Sequence, residues 1–157
     1  MTDKIKNTID KFEAGYVFTA DDFSTTVGEA KSEKMSYNAI PAVVYTNPEI
    51  AGVGMTEETV QSLKIPYQKK MLPLSYSGRF VAENEMGNGV CKILTAEDET
   101  ILGVHILGNP ASEIIAIAGI AIAKGMKAQE LQSMIFPHPT VGEIIKQTLA
   151  QIEDQRP

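Results

Sequence analysis

The chain has 157 residues, 43% apolar and 22% charged, with fourteen basic against twenty acidic side chains and a net charge of −6. A chain of this length suits one domain, or one domain plus an appendage, and can bury roughly 68–70% of its unfolded surface. The acidic balance and the lack of a basic stripe argue against a nucleic-acid partner. A single cysteine excludes an internal disulfide and a cysteine-rich metal site.

Residues 1–34 have their own texture. Ile5, Ile9 and Phe12 recur at helical spacing, and Thr19 precedes Asp21 and Asp22 as the N-cap of a second short helix. The polar stretch 24–34 reads as a linker, so 1–34 form a helical appendage too small for its own core. The opening "MTDKIKNTIDKF" is too polar for a secretory signal. The most apolar run, "IIAIAGIAIA", is too short to span a bilayer. A soluble cytoplasmic protein with no membrane partner is the expectation.

From about Met35 the pattern becomes β-rich. "AIPAVVYT" reads as a strand ending at the turn signal "NPE", and "IAGVG" continues it. Thr56 opens a helix with Val60 and Leu63 on its apolar side, ending near Ile65-Pro66. "YQKKMLPLS" is a strand whose proline marks an edge or bulge. "GVCKILTAEDETILGVHILG" is a hairpin. Alternation puts Cys91 and Ile93 on one face and Val90 and Lys92 on the other, with His105 opposite Val104 and Ile106. Both Cys91 and His105 read as structural residues.

Three helices follow. Asn109 is the expected N-cap of the first, Pro110 its first residue and Gly125 its stop. This helix is apolar nearly all round, which predicts a sandwiched position. The second covers about "KAQELQSM", and the third carries Val141, Ile144, Ile145, Thr148, Leu149 and Ile152 at helical spacing. Strands first and helices after predict an α+β fold, an antiparallel sheet of three to four strands with flanking helices.

The chemistry concentrates in "IFPHPTVGE". His138 lies between Pro137 and Pro139, just ahead of a helix N-terminus. A ring held by stiff backbone with Glu143 five residues on suits a general base oriented by a carboxylate. Two plainer readings stand beside it. Thr140 and Glu143 match a capping box, and His138 is equally read as an ordinary loop histidine. No G-x-G-x-x-G follows a strand, no Cys/His cluster suggests a metal, and no nucleophile accompanies His138. A histidine prepared for proton transfer without a reacting partner suggests that the rest of the site lies elsewhere.

Four stretches, "YNAIPAVVYTNPEIAGVGMTEE", "LPLSYSGRFVAENE", "GVCKILTAEDETILGVHILGNPASEII" and "IFPHPTVGE", resemble the C-terminal interface domain of dihydrolipoyl dehydrogenase, in the flavin-dependent pyridine nucleotide–disulfide oxidoreductases. The likeness runs from about Met35 to Glu153, so 35–157 is assigned as a reductase dimerisation domain. It implies a homodimer in which each interface domain projects a His-Pro loop over the partner's flavin and redox disulfide. His138 would be the acid/base that takes the thiol proton of dihydrolipoamide, Glu143 the carboxylate that orients it, and Pro139 a neighbour of the partner flavin. The resemblance also implies a cis His138–Pro139 peptide. FAD and NAD would belong to the parent enzyme. This chain lacks the flavin domain, the nicotinamide domain and the redox cysteine pair, so it would not catalyse alone. Phe136 departs from the family pattern, where many relatives carry a second histidine.

Two other readings remain open: a related disulfide reductase acting on glutathione, and a non-enzymatic dimerisation module. "IKNTIDKFEAGYVFTADDF" is similar to the opening of some winged-helix, antitoxin-like regulators, and no function follows from it.

Overall fold

A computed structural model of the chain describes residues 37–84 and 87–151. The helices expected within residues 1–34, and Ile152, lie outside the described residues. Within them, five antiparallel strands form one sheet: β1 (Ala42–Val44), β2 (Ile50–Gly54), β3 (Tyr67–Pro73), β4 (Val90–Ala96) and β5 (Ile101–Leu107), in the order β1-β2-β5-β4-β3. This is the expected α+β architecture with more strands than anticipated. The run from Ala42 to Gly54 is not one strand. It folds at Asn47-Pro48 into a hairpin that pairs Ala42 with Gly52 and Val44 with Ile50. β3 lies at the sheet edge, where Pro73 removes one amide from the ladder.

Strand alternation sorts the side chains. Ala51, Val53, Cys91, Ile93, Val104 and Ile106 are buried on one face, under α3 (Ala111–Ala123) and α5 (Glu143–Ala150). α3 packs on β2 and β5, and α5 on β3 and β4. α4 (Ala128–Ser133) adds Leu131 to the same core. The other face carries α1 (Glu57–Ser62), where Glu57 reaches Lys69 at 2.8 Å and Lys92 at 3.6 Å.

Helix ends follow local chemistry in places. Thr56 caps α1 by accepting the Thr59 amide at 3.1 Å. Val60 is buried as expected, but Leu63 is exposed, because it is the C-cap and turns outward. Gly125 ends α3 at φ +61°, with its own amide on Ile122 and the Met126 amide on Ala121.

Two expectations need correction. Asn109 does not cap α3, which starts at Ala111 with Pro110 in the cap position. Asn109 instead accepts the Glu49 amide at 2.9 Å, and the Glu49 carboxylate accepts the Ser112 amide at 2.8 Å. The helix N-terminus is therefore capped from 63 residues away. Nor is α3 sandwiched within the described residues: Ile114, Ile115 and Ala118 face the sheet, while Ile120 is 64% exposed.

A short helix, α2 (Gly78–Glu83), was not anticipated. Ser77 caps it by accepting the Phe80 amide at 3.3 Å, and Phe80 is buried. No helix among the described residues is long and apolar enough to cross a membrane.

Candidate functional site

The segment from Met134 to Gly142 connects α4 to α5 and carries His138. Its backbone lies outside regular structure, so side chains must hold it. Phe136 packs against the core, whereas Ile135 is 98% exposed. The His138–Pro139 peptide is cis, as expected. Asn47–Pro48 and Asn109–Pro110 are cis as well.

His138 Nδ1 stands 3.1 Å from Glu143 Oε1 and 3.2 Å from Oε2. The ring side chain is 81% exposed, while the carboxylate side chain is only 18% exposed. Glu143 is the first residue of α5, so a helix seats it and the helix dipole favours its charge. The Thr140 amide donates to Oε2 at 2.8 Å. That bond first, and His138 second, hold the Glu143 pKa below its ordinary value. With Glu143 ionised, the neutral imidazole carries its proton on Nδ1 and leaves Nε2 as the basic nitrogen. The pair can accept a proton at Nε2 and stabilise the resulting imidazolium.

The capping box is only half formed. Glu143 reaches back to the Thr140 amide, but the Thr140 hydroxyl donates to the Pro137 carbonyl at 2.9 Å and caps nothing. The helix begins at Glu143, two residues after the expected start at Val141, with Gly142 in the cap position. Lys146 Nζ donates to the Met134 carbonyl at 3.0 Å, and Ser77 Oγ to the Thr140 carbonyl at 3.3 Å. Pro139 is exposed.

The other two singled-out residues lie apart from this loop. Cys91 is fully buried in β4, where burial pushes its thiol up to about 12. His105 is half-buried on the α1 face of β5, against Gly52, where an added Cβ would stand 2.8 Å from the ring. Burial first, and the Lys92 charge second, lower its pKa. The fold brings the two residues singled out in the sequence, His138 and Glu143, into contact; the bonds of Ser77 and Lys146 to the same loop were not anticipated. Ser77 left a faint signal, a small hydroxyl residue ahead of an Arg79–Glu83 pair at i,i+4 spacing. Among the described residues no group of three or more His, Cys, Asp or Glu is placed to hold a metal ion.

Comparison with known proteins identifies the family of this fold. Residues 40–149 match the family model described as the pyridine nucleotide-disulphide oxidoreductase dimerisation domain. The chain is 36% identical over 115 residues to the mitochondrial dihydrolipoyl dehydrogenase of Schizosaccharomyces pombe, covering 73% of this chain and 22% of that protein. It is 37% identical over 108 residues to the dihydrolipoyl dehydrogenase of Mycoplasma genitalium, covering 69% and 24%. Thus it spans under a quarter of the length of either relative. Among solved structures, the copper(II) complex of the HOCl-induced flavoprotein disulfide reductase RclA from Escherichia coli superposes with a TM-score of 0.74. That match is at 24% identity and covers 83% of this chain and 30% of RclA. LpdA from Mycobacterium tuberculosis gives 0.69 at 24% identity, covering 75% and 26%. A five-stranded antiparallel sheet under helices, a histidine loop braced against α5, and a family match over most of the described residues lead to one assignment: the chain belongs to the dimerisation-domain family of the pyridine nucleotide–disulphide oxidoreductases.

Proposed function

We propose that this domain pairs two subunits of a flavin-dependent disulfide oxidoreductase of the dihydrolipoyl dehydrogenase type, and that His138 and Glu143 serve the partner's active site. The observation that carries the reading is the exposed ring braced through Nδ1 by a helix-seated carboxylate. Such a ring has its reactive nitrogen directed away from its own support. His138 Nε2 takes the proton of a substrate thiol, and Glu143 stabilises the imidazolium and holds the tautomer. Thr140 keeps the carboxylate charged through its amide.

FAD and NAD belong to the remainder of the parent enzyme, where they supply electron transfer. His138 and Pro139 are both exposed, which leaves them open to contact by a flavin of the partner subunit. Dihydrolipoamide is the favoured substrate, because the curated dihydrolipoyl dehydrogenases share 36–37% identity with this chain. The likeness to a HOCl-induced flavoprotein disulfide reductase supports a related disulfide as the second reading.

The test grafts residues 40–149 into a dihydrolipoyl dehydrogenase in place of its own dimerisation domain and compares His138 with His138→Gln. Lipoamide turnover by the glutamine variant is expected to fall by about 10²–10⁴, with dimer mass unchanged. Equal turnover by the two chimaeras would remove His138 from the chemistry.

A further inference from the structure

An 81% exposed ring on a segment without regular secondary structure should sample many orientations, yet His138 makes a two-oxygen approach to Glu143. Some feature must hold the backbone at 138 in register with the start of α5. Thr140 does so with all three of its polar groups. Its hydroxyl holds the carbonyl of Pro137, on the N-terminal side of His138. Its amide holds the Glu143 carboxylate. Its carbonyl is the acceptor for Ser77.

Ser77 comes from a distant part of the chain, 63 residues from Thr140. It is buried, at 3% exposure, and its oxygen is used twice. It accepts the Phe80 amide, which starts α2, and it donates its proton to the Thr140 carbonyl. Phe80 and Leu74, on either side of it, are fixed in the core. Val141 and Gly142 are buried as well, and a Cβ at Gly142 would lie 3.3 Å from Ile117 on α3. Thr140 thus marks the point where a core-anchored segment meets the exposed histidine.

We propose that Ser77 is a positioning residue for His138: through Thr140 it locks the loop to the core so that Glu143 engages Nδ1 and leaves Nε2 available. This extends the acid/base reading and rests on it for its functional meaning. The physical claim concerns the loop and is tested without turnover. A serine acting only as the cap of α2 would leave the imidazole unaffected.

The experiment uses the full 157-residue chain, labelled with ¹⁵N, at a pH where the ring is neutral. Imidazole nitrogen shifts of His138 report the tautomer, and amide exchange at Thr140 reports the loop. Ser77→Gly keeps the cap nearly intact, since glycine is tolerated at that position, but deletes the hydroxyl proton. The expected result is loss of the Nδ1–H preference and several-fold faster exchange at Thr140, with Cys91 and Ile93 in β4 unchanged. Ser77→Thr, which retains the hydroxyl, should keep both signatures. An unaltered tautomer and unaltered Thr140 exchange in Ser77→Gly would reduce Ser77 to a helix cap. Loss of both in Ser77→Thr would equally overturn the proposal. Failure of the His138→Gln turnover test would leave these spectra untouched, so the two ideas fail separately.

Discussion

Two histidines and one cysteine carry most of the titratable chemistry that the sequence singles out, and their surroundings give them different fates. Cys91 is surrounded by core side chains, so its thiolate would lie far from water. Its thiol, pushed up to about 12 from an ordinary 9.0, stays protonated. Folding favours the protonated form, so the associated stability is present below pH 9.0 and declines as pH rises beyond it. The folded chain is therefore expected to show no fast reaction with a disulfide reagent at pH 8, and one full equivalent in denaturant. A rapid native reaction would mean that β4 opens. His105 and His138 differ by position: one leans on Gly52 within the sheet, the other stands on an exposed loop beside a carboxylate. Sequence spacing alone pointed to His138 and Glu143. The bonds from Ser77 and Lys146 could not be read there, because they arrive from elements placed by the fold.

Elements with strong periodicity were the most legible. The β4–β5 hairpin, α3 and α5 follow from alternation or helical spacing, since each buries one face. α2 escaped because six residues beginning with glycine give little helical signal, and its cap works together with Phe80 packing. The start of α3 was misjudged for a similar reason: Asn109 looks like a cap, but Glu49 occupies that role from the head of the neighbouring strand β2. α5 secures the site by burying Ile144, Ile145 and Leu149 under β3 and β4 while presenting Glu143 at its first turn. Ile145→Ala should cost about 2–5 kcal/mol by leaving a cavity in that contact. Urea unfolding monitored by circular dichroism would measure it, and a loss under about 1 kcal/mol would show that α5 is not seated as described.

The arrangement of exposed apolar side chains bears on assembly. Ile120 projects from the outer side of α3, and the chain at Ala39 runs beside Gly119, bringing Tyr37 and Ile40 into the neighbourhood, 77% and 54% exposed. Among the described residues the sheet covers one side of this apolar helix, and an outer side left open fits the contact surface of a dimerisation domain. Sedimentation equilibrium should show a concentration-dependent dimer, and Ile120→Glu should shift it toward monomer by placing a charge in the contact. A variant that dimerises as well as the parent chain would move the interface away from α3.

Composition, alternation and helical spacing were enough to define an α+β domain of strands followed by helices, and to isolate a proline-flanked histidine with a carboxylate within one turn, because these are local patterns imposed by backbone geometry. They were not enough to count the strands: "NPE" read as a turn, but only the pairing of Ala42 with Gly52 and Val44 with Ile50 makes β1 and β2 two separate strands of the sheet. Nor could they assign Thr140, whose hydroxyl goes to Pro137 and whose carbonyl goes to Ser77. Those choices depend on which backbone groups are left without partners once the sheet and helices have packed, and only the tertiary structure decides that.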